Sequence, residues 1–157
     1  ISNAVTKGIE KSAPILIITG LGGALGSVIQ NIPLQDYAAS ITSYESLGIL
    51  IPFAMAALLK TAQGSSTVAI ITASSIIFPI MPILGLEGEI GKIWAILAIG
   101  VGSMTVSHAN DSYFWIVSQM SDMDIKTAYK THTLGTFYQG TVGLVIVFIG
   151  YSIWKFI

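Results

Sequence analysis

The sequence predicts an all-α integral membrane protein containing a re-entrant helical hairpin and a broken transmembrane helix. Three observations lead there. Apolar residues make up 53% of the 157 and charged residues only 10%, with a mean hydropathy of +0.78, outside the usual range of soluble domains. Long apolar runs follow one another with few charges between them, a pattern that a soluble core of this length does not need. Small polar clusters, at residues 63–67 and 103–115, interrupt two of the apolar stretches.

Lys7 and Lys11 precede the first apolar run, residues 13–29, which at about 1.5 Å per residue is long enough to cross the hydrocarbon. Gly20, Gly22, Gly23 and Gly26 crowd its middle. Gly22 and Gly26 have the small-xxx-small spacing that admits a neighbouring helix, and a break in the helix is the alternative. They do not make a phosphate loop, because the G-x-G-x-x-G pattern, a preceding strand and a following Lys-Ser/Thr are all missing. Residues 30–46, with Pro33, Asp36, Tyr37, Tyr44 and Glu45, read as a loop and short interfacial helix outside the membrane.

Residues 47–59 are apolar but, at about 1.5 Å per residue, cover only about two-thirds of a bilayer core. Lys60, Gln63 and the Gly64-Ser65-Ser66-Thr67 cluster then interrupt, and residues 68–84 are apolar again. Two short arms with a small polar turn predict a re-entrant hairpin, whose tip is tolerated only inside protein or beside a water-filled cavity. Two full spans with a tight turn are the alternative. They would require Lys60 to snorkel, and Pro79 and Pro82 would shorten the second of them.

Glu87 and Glu89 lie in the next loop, and Lys92 precedes the interrupted span that begins at Ile93. Residues 121–132 form a second polar connection carrying Asp122, Asp124, Lys126 and Lys130, and a last span covers about 134–156. Lysines gather before the first span and after the interrupted one, while the loops around Asp36, Glu45, Glu87 and Glu89 are mainly acidic. The positive-inside tendency therefore places the two lysine-bearing regions in the cytoplasm and the C-terminus outside. A hairpin and two full spans give the same parity.

The chain has no cysteine and no arginine. The first absence excludes disulfide frameworks and thiolate metal sites; the second, with a net charge of −1, excludes the basic surface that nucleic acids require. The chain begins at Ile1 without methionine and shows no charged n-region, apolar core and cleavage site, so no signal peptide is expected, and a fragment of a longer protein is.

A break in a transmembrane helix frees carbonyls at one end and amides at the other, in a medium where each unsatisfied group costs several kcal/mol. Secondary transporters use such ends to bind anions and cations. One candidate end has its N-cap among Ser65, Ser66 and Thr67; the other half-helix starts near Asn110, Asp111 or Ser112. Each could be a capped helix end and nothing more, but two breaks in so short a chain point to a shared midplane site. Without arginine, a carboxylate has to be held by helix amides, by hydroxyls, by the amides of Gln63 and Asn110, or by Lys60. Ser65, Ser66, Thr67, Ser103 and Thr105 offer donors and acceptors suited to a polyhydroxylated acid. The candidate substrate-binding residues are Gln63, Gly64, Ser65, Ser66, Thr67, Ser107, Asn110 and Ser112.

His108 and Asp111 are spaced i, i+3 and would share a face of a helix, which makes them candidates for proton coupling. The plainer alternative is that Asp111 caps the half-helix and His108 bonds a carbonyl. An enzyme is not expected: Ser107, His108 and Asp111 are sequence neighbours rather than converging elements, and no G-x-S-x-G elbow occurs. Two histidines without a carboxylate cluster make no zinc site, and no cofactor is called for. Asn110-Asp111-Ser112 matches a glycosylation sequon only by chance, inside an apolar run.

Gln63-Gly64-Ser65-Ser66-Thr67-Val68-Ala69, followed by Ser107-His108-Ala109-Asn110-Asp111-Ser112-Tyr113-Phe114-Trp115, closely resembles the C-terminal part of the gluconate/proton symporters, the GntP family. The glycine-rich Gly20-Leu21-Gly22-Gly23-Ala24-Leu25-Gly26 and the Lys126-Thr127-Ala128-Tyr129-Lys130-Thr131 linker extend the likeness over nearly the whole chain. The resemblance implies a single membrane domain, residues 1–157, forming the second repeat of an inverted-repeat transporter of the ion-transporter superfamily. It implies a multi-pass protein of the inner (cytoplasmic) membrane that imports gluconate, related sugar acids, or small hydroxy or amino acids with protons. The implied partners are that carboxylate, protons, the lipid bilayer, the missing N-terminal half of the transporter and, in a homodimer, a second copy; nucleic acid is not among them. The fragment alone is expected not to transport. The rival readings are a transporter of another organic anion such as a dicarboxylate, coupled to sodium or protons, and a non-transporting membrane scaffold subunit whose break is closed and dry.

Overall fold

The computed structural model describes residues 48–156 together with residues 3, 5–10, 13 and 17. The rest of the glycine-rich run at 13–29 and the loop expected at 30–46 lie outside the described residues. Among the described residues the chain is all helical, as the composition led us to expect.

Helix α1, Leu50–Gln63, is built from Leu, Ala and Met, which lose little side-chain freedom in a helix. It runs one turn beyond the apolar arm read from sequence, so Lys60 belongs to its last turn, where a cation complements the helix dipole. Gly64 ends it at φ +73°, its N–H bonding the Lys60 carbonyl at 2.8 Å. Ser65 then caps α2, Ser66–Ile77, accepting from the Val68 amide at 3.4 Å. Beyond α2, Pro79 and Pro82 reduce the chain to two 3-10 turns, Phe78–Ile80 and Pro82–Leu84, because neither ring can donate to an α-helical ladder.

Helix α3, Gly88–Gly102, starts five residues earlier than Ile93, the start expected from sequence. Residues 103–111 form the break. Its ends are tied locally: Ser103 Oγ donates to the Gly100 carbonyl at 2.7 Å and Thr105 Oγ1 to the Val101 carbonyl at 3.1 Å. Val106 sits at φ +54°, the left-handed region that a β-branched residue avoids. Helix α4, Ser112–Met120, resumes with Asp111 as N-cap, accepting from the Tyr113 amide at 3.0 Å.

The second polar connection is shorter than expected. Asp124 accepts from the Thr127 amide at 3.0 Å and caps α5, Ile125–Ala128. A π turn, Tyr129–Thr133, joins α5 without interruption to α6, Leu134–Phe156. Lys126 and Lys130 are exposed, and an exposed helical face carries the same polarity as a loop. The bounds of α6 match those read from sequence. The run Ile125–Phe156 is, among the described residues, the one helix long and apolar enough to cross a membrane; α1 and α2 are apolar but shorter.

Helices α1, α2 and α3 pack together, and α6 lies along α3. Their core is rich in small residues, Ala56, Ala73, Ala95 and Ala98, with Ile49, Ile77, Ile99, Val147 and Tyr151 around them. Small side chains let helix backbones approach where no hydrophobic effect drives association. Gly102 shows the consequence, since a Cβ there would collide with the Phe53 carbonyl on α1. Meanwhile Leu58, Ile96, Ile146 and Ile153 are exposed, an apolar exterior on a scale that suits lipid rather than water.

Candidate functional site

Gly64 sets the geometry of the site by bringing the α1–α2 turn against the break. A Cβ on this residue would overlap the Asn110 backbone carbonyl and come within 3.0 Å of the Asn110 Cγ. Asn110 Nδ2 in turn donates to the carbonyls of Thr61 at 2.8 Å and Ala62 at 3.3 Å. His108 Nε2 lies 3.1 Å from the same Thr61 carbonyl. The last turn of α1, whose carbonyls have no intrahelical partners, is thus closed by side chains of the break.

Behind this contact lies a buried ion pair. Lys60 Nζ stands 2.5 Å from Asp111 Oδ2, with side chains only 3% and 8% exposed. The ammonium also donates to the Gly64 carbonyl at 3.2 Å. Ser107 Oγ donates to Asp111 Oδ2 at 2.5 Å. His132 Nε2, on the π turn, lies 3.1 Å from Ser107 Oγ. A continuous chain of hydrogen-bonded groups therefore runs from His132 through Ser107 and Asp111 to Lys60. The His132 and Tyr113 rings pack edge-to-face, with centroids 5.3 Å apart.

Two threonines one helical turn apart hold the break from the other side. Thr133 Oγ1 donates to the Ser107 carbonyl at 2.7 Å, and the Ser107 N–H donates to Thr136 Oγ1 at 3.0 Å. Both backbone groups that the break frees at Ser107 are satisfied this way. Gly140, one turn further along α6, admits Thr105: a Cβ there would overlap the Thr105 hydroxyl.

The ion pair forms part of the wall of a cavity of about 240 Å³ lined by Lys60, Ser66, Met104, Ser107, Asp111, Tyr113, Thr136 and Gln139. Ser66, Ser107 and Asp111, three of the residues singled out from sequence, thus meet on one wall. Gly64 and Ser65 shape the turn beside it, while Asn110 and His108 fasten the break to α1. Gln63, Thr67 and Ser112 are exposed and lie outside the cavity lining. The segment carrying His108 and Asp111 is not helical, so His108 and Asp111 take different partners instead of sharing a face. Five wall residues that sequence reasoning left out or read differently are Met104, Tyr113, Thr136, Gln139 and Lys60 as partner of Asp111; His132 stands just behind them. The available signal was that Lys60 and Asp111 are isolated opposite charges in apolar stretches. Among the described residues no cluster of His, Asp or Glu is arranged to hold a metal.

Residues 1–153 match the family described as GntP family permease. The chain belongs to the GntP permease family. It is 31% identical over 140 residues to a gluconate permease of Pseudomonas aeruginosa, covering 88% of this chain and 30% of that protein. It is 33% identical over 143 residues to the D-serine transporter DsdX of Escherichia coli K12, covering 90% and 32%, and 31% identical over 146 residues to a high-affinity gluconate transporter of the same strain, covering 92% and 32%. The chain therefore spans about a third of the length of these relatives. No solved structure matches it. The family is one of permeases rather than enzymes, and the GntP chain is a membrane protein.

Proposed function

We propose that this GntP chain is the second of two inverted repeats in a multi-pass symporter of the inner membrane, importing gluconate or a related sugar acid with protons. In this reading α1 and α2 are a re-entrant hairpin, and α3 and α4 are the halves of the broken helix. The observation that carries it is the Lys60–Asp111 pair on the wall of a hydroxyl- and amide-lined cavity where turn and break meet. An ion pair is an expensive thing to bury, and well-packed apolar residues in its place are often as stable or more so. Its position beside Ser66, Ser107, Thr136 and Gln139 supports a role in binding rather than in holding the fold. These side chains supply donors and acceptors for a polyhydroxylated ligand. A scaffold subunit would have a closed, dry break with every polar group satisfied inside the protein; the backbone groups at Ser107 are satisfied in that way, whereas the cavity beside the break supports binding.

The likeness to a D-serine transporter supports a second reading, in which the ligand is a small hydroxy amino acid. Proteoliposomes carrying the full-length gene product separate the readings. Labelled gluconate is expected to accumulate under an inward proton gradient, with or without sodium, and to be displaced by unlabelled gluconate better than by D-serine or a dicarboxylate. Uptake driven by sodium alone, or a ranking led by D-serine or the dicarboxylate, would exclude proton-coupled gluconate import.

A further inference from the structure

Resting on that transport reading, we propose that Lys60 is the carboxylate-binding residue and that Asp111 and the substrate occupy it by turns. One proton must then bind with each monocarboxylate. Among the described residues lining the cavity, Lys60 is the one cation and Asp111 the one carboxylate, and they neutralise each other at 2.5 Å. A carboxylate entering this cavity would find no unpaired positive charge, and a buried anion without a counterion is strongly disfavoured.

Protonation of Asp111 removes the conflict. A proton from the aqueous side bonds to Asp111 Oδ2, the Lys60–Asp111 ion pair is given up, and the ammonium takes the substrate carboxylate as its new counterion. The cavity is neutral before and after: one ammonium with one aspartate carboxylate becomes one ammonium, one carboxylic acid and one substrate carboxylate. Release runs the same exchange backwards, returning the proton to the other side as Lys60 closes on Asp111 again.

The local structure suits this exchange. Lysine is a compact charge on a flexible stem that can turn between two acceptors without rebuilding a fixed fork. The ammonium has three donors, of which Asp111 and the Gly64 carbonyl take two, so Gly64 can steady it while the other partners change. Asp111 also has contacts that outlast the pair: Ser107 on one oxygen and the Tyr113 amide on the other. The titratable groups around it are Lys60 from α1, Tyr113 on its own element, His108 bound to the Thr61 carbonyl, and His132 from the π turn, with Ser107 between it and Asp111. The same count of charges selects the substrate class. A monocarboxylate meets one ammonium, its hydroxyls meet Ser66, Thr136 and Gln139, and a dicarboxylate would bring a second charge with no further cation among the described wall residues to receive it.

The test measures gluconate binding by the purified full-length protein in weakly buffered detergent solution, by titration calorimetry and a pH indicator. Wild-type protein is expected to take up close to one proton per gluconate, with affinity falling about tenfold per pH unit on the alkaline side. Asp111→Asn, which mimics the protonated acid, should bind gluconate with no proton uptake and no pH slope, and should exchange gluconate across vesicles without accumulating it. Lys60→Met/Asp111→Asn leaves no stranded charge, so it is expected to keep the wild-type elution and melting behaviour and yet bind no gluconate. Proton uptake persisting in Asp111→Asn would overturn the exchange. So would gluconate binding by the double variant at the affinity of Asp111→Asn, because Lys60 would then not be the ligand. Wild-type protein that binds no gluconate at any pH would instead remove the functional reading, and this inference with it.

Discussion

Replacing Gly64 by alanine probes whether the α1–α2 turn and the break are in real contact. Two costs are expected. At φ +73° an L side chain occupies the left-handed region, which costs roughly 1–2 kcal/mol. In addition, the new methyl would overlap the Asn110 carbonyl, and overpacking of that kind typically costs about 1–3 kcal/mol. The sum is roughly 2–5 kcal/mol. Gly88 isolates the first cost, since it has φ +75° and nothing within 4 Å of its hypothetical Cβ. Gly100 carries neither: it is an ordinary helical glycine in open space, where alanine should stabilise by up to about 1 kcal/mol. Equilibrium unfolding of the three variants in detergent should therefore rank them Gly100→Ala most stable, then Gly88→Ala, then Gly64→Ala, with at least about 1 kcal/mol between the last two. Equal destabilisation by Gly64→Ala and Gly88→Ala would show that the turn and Asn110 do not touch, and the cavity between them would lose one of its supports.

Lys60→Met alone strands the Asp111 carboxylate and should destabilise by about 3–5 kcal/mol, most of which Lys60→Met/Asp111→Asn recovers, as read from unfolding midpoints of the pair. On the exposed side of the molecule, the hydrogen bonds from Thr127 hold the Asp124 carboxyl below its ordinary value of 3.8. A depressed value means that the cap's contribution is complete above the unfolded-state value and is lost as pH falls through the folded one. Amide exchange at residues 125–128 should therefore quicken, relative to the intrinsic rate, only on the acid side, and Asp124→Asn should abolish that change. Gly140→Ala pushes a methyl into the Thr105 hydroxyl, whereas Gly135→Ala enters open space. The former is expected to lower thermal stability through about 1–3 kcal/mol of overpacking and the latter to leave it unchanged or raised, as a melting curve of each will record.

Features written in local chemistry were legible before the fold was known. Ser65 and Asp111 could be placed near helix starts because a short polar side chain followed by an apolar run is a start signal in itself. Pro79 and Pro82 shorten the helix they follow for reasons that need no neighbour. The bounds of α6 followed from a sustained apolar run. The continuation of helix through Lys126, Lys130 and His132 was not legible, because polarity there reports an exposed face and not the backbone path. The partnership of Lys60 with Asp111 spans fifty-one positions, a distance over which no periodicity speaks. His108 and Asp111 would share a face only on a helix, and Val106 at positive φ shows how far the backbone there departs from one.

The two threonines that hold Ser107 set an order of assembly. Thr133 and Thr136 emerge from the ribosome after every other part of the cavity wall except Gln139, and domains generally form in the order they are synthesised. Until α6 inserts, the amide and carbonyl of Ser107 have only water or lipid to face, so the nascent break must stay hydrated or stay open. A chain that stops short of Thr133 would thus carry two unmet backbone groups at Ser107, a polarity that distinguishes an unfinished copy from a finished one.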